Sequence, residues 1–350
     1  MNSLKSSYLD NLRFTTEETT VLKRLGEHRG RQTLYSKQKP EILETLRQVA
    51  IVQSIESSNR LEGVTAPPKR IENIIAEKTT PRNRSEQEIA GYRDALNLIH
   101  DSWLHMQFTE NVILQLHSLI YRYHSTEGGH WKMNDNQIIE RFPDGTVKVR
   151  FKPVSAVQTP SAMHTLVGQY LNLSITEAYE ELILIPITVF DFLCIHPFSD
   201  GNGRVSRLLT SLLLYKFGYD VGRYISLERI FEESKESYYE VLEESSRGWH
   251  EGKHNIYPWL DYFWGVMLRA YKEFEERIEA IPDSGATKTE QIKDAVKRKV
   301  GPFAISDIES ACPGISRDMI RNVLRQLRDE DIIESTGIGR AAKWILKRNN

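Results

Sequence analysis

The 350-residue chain is predicted to be almost wholly α-helical, with one β-hairpin near its middle and a small unit of three helices and two strands at its end. Three observations carry that expectation. Apolar residues recur at helical spacing through most of the length, and one stretch near 137–151 switches to β-branched residues around a Pro-Asp-Gly turn. A Pro-Asp-Ser-Gly break then sets off the last residues. The length favours more than one domain, and the expected division is 1–110 as an N-terminal helical region, 111–281 as a core, 282–286 as a linker and 287–350 as a terminal unit.

Pro40 opens a helix that carries Leu43, Leu46, Val49, Ile51 and Ile55 toward Leu61 and is stopped by Gly63 and the Pro67-Pro68 pair. Ser85 and Glu88 have the spacing of a capping box ahead of Ile89, Tyr92, Ala95, Leu96 and Ile99. Further helices fit 111–123, 161–171, 234–244 and 259–281. The longest apolar run, 182–195, is too short to cross a bilayer and contains Pro186 and Asp191, so it is expected to be a buried helix. Residues 137–140 and 146–151 flank Arg141-Phe142-Pro143-Asp144-Gly145 and are expected to pair as the hairpin.

A net charge of −2 and a pI near 6.6 give the whole chain no pull toward nucleic acid or membranes. Cys194 and Cys312 read as reduced thiols, and the first residues lack the apolar core of a signal peptide. A soluble cytoplasmic protein without membrane contact is the expectation.

The chemistry concentrates in His196-Pro197-Phe198-Ser199-Asp200-Gly201-Asn202-Gly203-Arg204-Val205-Ser206-Arg207. This stretch combines a titratable imidazole, a carboxylate, two glycines around an amide and two guanidiniums. Gly201 and Gly203 leave backbone N–H groups open at the start of a helix, where the dipole favours anions. Arg204 and Arg207 lie one turn apart and can aim forked donors at one polyanion. An imidazole that titrates near pH ~6.5 suits a base working at neutral pH.

The stretch HPFSDGNGRVSRLL resembles the signature of the Fic family, His-x-Phe-x-Asp/Glu-Gly-Asn-Gly-Arg-x-x-Arg, at every fixed position. The resemblance implies a Fic-type helical core and transfer of AMP from ATP to a protein hydroxyl on Ser, Thr or Tyr. By position it makes His196 the general base and Asp200 the ligand of a magnesium ion. Gly201, Asn202 and Gly203 would cradle the phosphates, Arg204 and Arg207 would reach the outer ones, and Phe198 would anchor the loop in the core. It makes the hairpin a flap that holds the target in extended form. Tyr238, Tyr239 or Trp249 would stack on adenine.

The resemblance extends upstream to Ser58, Glu62 and Gly63, which match the Ser/Thr-x-x-x-Glu-Gly pattern of Fic enzymes with a built-in inhibitory helix. Ser58 and Glu62 share a helix face. The match implies that Glu62 pairs with Arg207 in place of the ATP γ-phosphate and keeps the enzyme off. His250-Glu251-Gly252-Lys253-His254 has the letters of a zinc-protease motif, but Gly252 and the nearby Asn255 and Pro258 make a poor helix, so no zinc is expected.

In the terminal unit helices are expected at 289–300, 305–311 and 316–329, the last capped by Ser316, with strands at 332–334 and 343–346 around Gly337-Ile338-Gly339. This arrangement resembles a winged helix. Met319, Ile320, Val323, Leu324 and Leu327 form the buried stripe, and Arg317, Arg321, Arg325 and Arg328 another face. From Ala286 onward 13 Lys and Arg stand against 9 Asp and Glu, which permits DNA contact, while docking on a protein is the alternative.

The leading expectation is therefore a protein AMP-transferase using ATP and Mg2+, inhibited by Glu62, with another protein or itself as target. Removal of AMP at the same site and a DNA-binding regulator with a nucleotide-sensing core are the alternatives. Association of two copies is left open.

Overall fold

Helices dominate, as the periodicity predicts. The computed structural model describes residues 3–347 apart from 39, 126, 142–144, 281–287, 298, 300, 313–314 and 337–342. The helices are α1 (Ser6–Leu9), α2 (Thr16–Gln38), α3 (Pro40–Leu61), α4 (Pro68–Ile75), α5 (Arg84–Ser102) and α6 (Glu110–Ile120), followed by a hairpin of β1 (Ile138–Arg141) and β2 (Val147–Phe151). Then come α7 (Thr159–Thr176), α8 (Glu181–Ile195), α9 (Asn202–Lys216), α10 (Leu227–Glu233), α11 (Lys235–Ser246) and α12 (Tyr257–Ala280). The terminal unit holds α13 (Lys288–Lys297), α14 (Ile305–Ala311), α15 (Arg317–Asp329), β3 (Ile333–Thr336) and β4 (Lys343–Leu346). Among the described residues no helix is long and apolar enough to cross a membrane.

Residues 1–276 form one compact unit and 277–350 a second. The division expected at 110 is absent, because α3 packs on α5 and α10, and α5 on α6 and α9, so the N-terminal helices and the motif helices share one core. The linker expected at 282–286 lies outside the described residues.

Two boundary corrections have clear physical causes. The expected capping box of Ser85 and Glu88 does not form: Asn83 is the N-cap, accepting from the Glu86 N–H at 3.0 Å, and Glu88 turns inward to arginines. Helix α2 escapes an apolar-periodicity reading because His28 and Gln32 share its buried face with Leu25. Its start is nonetheless written as a Thr15/Glu18 capping box, with bonds of 2.6 and 3.2 Å. Along α3, Leu43, Leu46 and Ile55 are buried, but Val49 is 42% exposed.

Helix α8 is the spine of the first unit, with every residue from Leu182 to Phe192 buried. Pro186 sits inside it and cannot donate to the Leu182 carbonyl. The Trp264 indole N–H supplies the missing donor at 2.7 Å, and Trp259 donates to the Pro186 carbonyl at 2.8 Å. The proline is thus accommodated by two tryptophans of α12. In the hairpin, β1 and β2 are antiparallel, with Ile139 opposite Val149 and Arg141 opposite Val147.

The second unit builds its core from Ile292, Val296, Phe303, Ile308, Ile320, Leu324, Leu327 and Ile333, so the stripe expected on α15 is the buried one. Phe303 exchanges both backbone hydrogen bonds with Trp344 at 2.8 Å, adding a third short pairing beside β3 and β4. Ser316 stands at the N-cap of α15, but its side chain accepts no capping bond. Arg317 pairs with Glu309, Arg321 with Asp318 and Arg328 with Asp329, so acids offset much of the arginine stripe. The turn expected at Gly337 to Gly339 lies outside the described residues.

Candidate active site

His196 stands where α8 ends, in the left-handed conformation with φ 51° and ψ 61°. A non-glycine residue held there costs of order 1–3 kcal/mol, so the surroundings must impose it. Burial pulls the imidazole pKa down to about 4, which leaves the ring neutral at pH 7. Its Nδ1 lies 3.2 Å from the Leu193 carbonyl, which can only accept. The proton therefore sits on Nδ1 and the lone pair on Nε2, the atom that can act as a base.

The turn after His196 is closed from within. Phe198 is fully buried and stacks on His117 with ring centroids 3.7 Å apart, the core anchor that was expected. Asn202 accepts the Phe198 N–H at 2.9 Å and donates to the Phe198 carbonyl at 2.8 Å. Its amide is thus committed to shaping the loop, which leaves only its backbone to face an anion. Gly201 takes φ 81°, a left-handed value that favours glycine, and its N–H goes to the Asp200 carboxylate at 2.7 Å, so this donor is not open as expected.

Asp200 lies half exposed at the rim, its side chain 55% exposed. Burial works against its charge, but Arg204, the Gly201 N–H, Tyr121 and Arg84 together hold its carboxyl below the usual carboxylate range. Behind it, Arg204 is 1% exposed and gives one nitrogen to Glu88 at 2.5 Å and another to Tyr121 at 3.1 Å. His117 accepts the Gly129 N–H at 2.8 Å on Nδ1, so its Nε2–H is left to donate to the Asp200 carbonyl at 3.2 Å. Glu88, Tyr121 and His117 escape sequence reasoning because nothing marks them as partners; only the helix packing brings them to the motif.

Arg207 is buried and receives α3. Its Nε donates to Ser58 Oγ at 2.8 Å, and Nη2 to the Ser58 carbonyl at 2.9 Å and to Glu62 Oε1 at 2.8 Å. A Cβ on Gly203 would overlap that same Glu62 oxygen, so the carboxylate rests against the bare backbone of the glycine loop. Arg207 Nη1, also beside Gly203, is buried and makes no hydrogen bond among the described residues. A guanidinium nitrogen without a hydrogen bond beside the side-chain-free backbone of Gly203 is the feature an anionic ligand would satisfy.

The aromatic residues expected against a nucleotide base divide. Tyr238 is buried among Phe231, Tyr239, Trp259 and Tyr262. Trp249 is buried with its indole donating to Asp191 at 2.6 Å and borders a separate cavity with Val154, Gln158 and His250. Tyr239 remains at the surface of a cleft of about 460 Å³ that it lines with Lys148 and Arg150 of β2 and with Glu243, and its hydroxyl donates to the Leu61 carbonyl at 3.3 Å. His250 and His254 lie outside any helix, bonded to the Lys152 carbonyl and to Ser3, so the two rings do not share the helix face that the zinc-protease motif uses.

Residues 107–214 match the family model described as the Fic/DOC family. This stretch is a Fic domain. Its relatives include two proteins named Protein adenylyltransferase Fic. The one from Drosophila willistoni is 26% identical over 178 residues, 49% of this chain and 33% of that protein. The one from Nematostella vectensis is 22% identical over 258 residues, 71% of this chain and 54% of that protein. The chain thus spans between a third and about half the length of these relatives. Among solved structures, a Fic family protein from Desulfovibrio desulfuricans aligns over 97% of this chain and 98% of its own, with a TM-score of 0.63 at 21% identity. A Fic domain containing signaling protein from Bacteroides thetaiotaomicron aligns over 76% of this chain and 100% of its own, with a TM-score of 0.62 at 21% identity. These likenesses extend the fold beyond the Fic domain itself.

Proposed function

We propose that the chain transfers the AMP moiety of ATP to a hydroxyl of a protein and that Glu62 restrains this activity. The single observation that carries the reading is the Arg207 guanidinium, which has one buried nitrogen without a partner beside Gly203 and another neutralised by Glu62. That arrangement suits a phosphate site whose ligand place is taken by a carboxylate of the chain itself.

In this reading His196 Nε2 accepts the proton of the target hydroxyl. The hydroxyl oxygen bonds to the α-phosphorus, the bond to the β-phosphate oxygen breaks, and pyrophosphate leaves. Positioning and charge supply most of the rate in such transfers. Asp200 is ionised and half exposed, which fits a magnesium ion that prefers one or two carboxylates together with phosphate oxygens. Such an ion neutralises phosphate charge. Arg207 would take the γ-phosphate once Glu62 withdraws, and Tyr239 is the aromatic residue left within reach of a base. Arg204, tied to Glu88 and Tyr121, would stabilise the loop from behind and act on phosphates only at longer range.

Incubation with α-labelled ATP and magnesium tests the reading. Label is expected on the chain itself or on added proteins, and His196→Ala should lower transfer ~10²–10⁴-fold without unfolding the protein. Transfer at the parent rate by His196→Ala would overturn it.

A further inference from the structure

We infer that Lys132 is a positioning residue for His196, its buried ammonium fixing the carbonyls on either side of the turn that presents the imidazole. The inference rests on the reading above only for the task of His196. Lys132 lies in the irregular segment between α6 and β1 and is 3% exposed. Its Nζ lies 3.2 Å from the Ile195 carbonyl, 3.0 Å from the His196 carbonyl and 2.8 Å from Asn136 Oδ1. Its backbone N–H donates to the Pro197 carbonyl at 2.8 Å, and Asn136 in turn donates to the Phe198 carbonyl at 3.0 Å. Lys132 and the Asn136 it holds therefore satisfy four successive carbonyls, from Ile195 to Phe198.

Two physical arguments give this contact a task. The last carbonyls of a helix have no partner within it and carry the negative end of its dipole, so a cation there is favourable. At α8 those carbonyls are buried, and the left-handed His196 turns them toward one point, where all three ammonium donors are used. Among the described residues no carboxylate forms an ion pair with Lys132; Asp135 acts on it only at longer range, and its ammonium donors go to two backbone carbonyls and the Asn136 amide oxygen. That is the anchorage a strained residue at the head of the site requires. The second argument is electrostatic. The charged groups that act on His196 are Lys132, Glu62 and Asp200; the lysine opposes the imidazolium and the two carboxylates favour it. Lys132 therefore helps keep the ring neutral, although burial is the larger cause. Burial lowers the lysine's own pKa to about 8, which still leaves it charged at pH 7.

The test is made on the full chain. In a Glu62→Gly background, Lys132→Met is expected to lower kcat ~10²-fold while KM for ATP changes less than about threefold, because the loss is one of orientation. Lys132→Arg, which keeps the charge and the donors, should recover part of that kcat. The acidic limb of the kcat/KM profile should move to higher pH in Lys132→Met and stay in place in Lys132→Arg. An NMR titration of His196, with its resonance assigned by its loss in His196→Gln, should move in the same direction whether or not the protein turns over. Where Lys132→Met fails to fold, Lys132→Gln replaces it with the same expected signs. A folded Met or Gln variant with parent kcat and a parent His196 titration overturns the inference. An active His196→Ala protein overturns the AMP-transfer reading instead, so the two failures are distinguishable.

Discussion

Glu62 takes the Arg207 guanidinium at 2.8 Å directly over Gly203, whose missing side chain is what lets the carboxylate settle there. The other two bonds of Arg207 go to Ser58, in the last turn of α3, while Glu62 stands in the turn just after the helix ends. The C-terminal end of α3 and the turn that follows therefore both fix the arginine, through Ser58, and neutralise it, through Glu62. Mutation can separate these two effects.

Replacing the carboxylate should activate the protein. A hydrogen bond to a charged group is worth ~1.5–3 kcal/mol, so Glu62→Gly is expected to raise labelled AMP transfer by ~10–10²-fold. Arg207→Ala in that background should remove the whole gain, since the pair is coupled and the effects do not add. No rise in transfer, with slower release of AMP from pre-labelled protein, would assign Glu62 to hydrolysis instead.

The Arg204–Glu88 pair should matter chiefly to stability. The two side chains are 1% and 3% exposed, and removing one partner leaves a buried charge uncompensated. Glu88→Ala is expected to lower the free energy of unfolding by ~3–5 kcal/mol in urea, and Glu88→Gln by less. A loss below ~1 kcal/mol in Glu88→Ala would show that water or Tyr121 replaces the carboxylate.

Acid should destabilise the fold between pH 6.5 and about 4. Burial lowers the pKa of His117, His196 and His254 to about 4 and that of His100 to about 3, from an ordinary value of 6.5. In this window the unfolded chain binds protons that the native one refuses, so stability falls as pH falls. Asp191, pushed up to about 6 mainly by burial, acts in the opposite sense, as do Glu180, Asp220 and Asp261, whose carboxyls burial also raises. Glu86, Glu232, Glu233 and Glu243, held low by basic neighbours, act with the histidines. Thermal melting at pH 7 and pH 5 checks the sign. His117→Gln should flatten the difference, and an unchanged slope would exclude His117 as a contributor.

A chain ending at residue 286 should keep its chemistry. Every motif residue lies in the unit of residues 1–276. Transfer within about threefold of the parent is expected in the labelled-ATP assay. Loss of activity in a folded truncation would bring the terminal unit into the site.

What the sequence made legible follows the range of the interactions involved. The helix over 40–61 could be read because its signals are local: a proline at the first turn, apolar spacing, then glycine. The glycine loop running into α9 could be read because its signals lie close in sequence, whereas the ties of the Gly201 N–H to Asp200 and of Arg204 to Glu88 could not. Tyr238 and Trp249 could not be placed, since an aromatic ring has the same letter whether it faces a cleft or a core. Helix α2 buries His28 and Gln32, and polar residues on an inner face erase the apolar stripe. Glu88 resembled a cap because capping and ion pairing use the same carboxylate. Lys132 gave no signal at all, since its partners are carbonyls, which every residue has.

The residues that form the Glu62–Arg207 contact are 145 positions apart, and the restraining one comes first. A ribosome builds a chain from its N-terminus, so α3 has already emerged when the base and the phosphate loop are still being synthesised. On the reading proposed above, the nascent protein has no interval in which a finished catalytic loop exists without its inhibitor. Activity would then be something granted after synthesis, by whatever draws Glu62 away, and never a by-product of folding order.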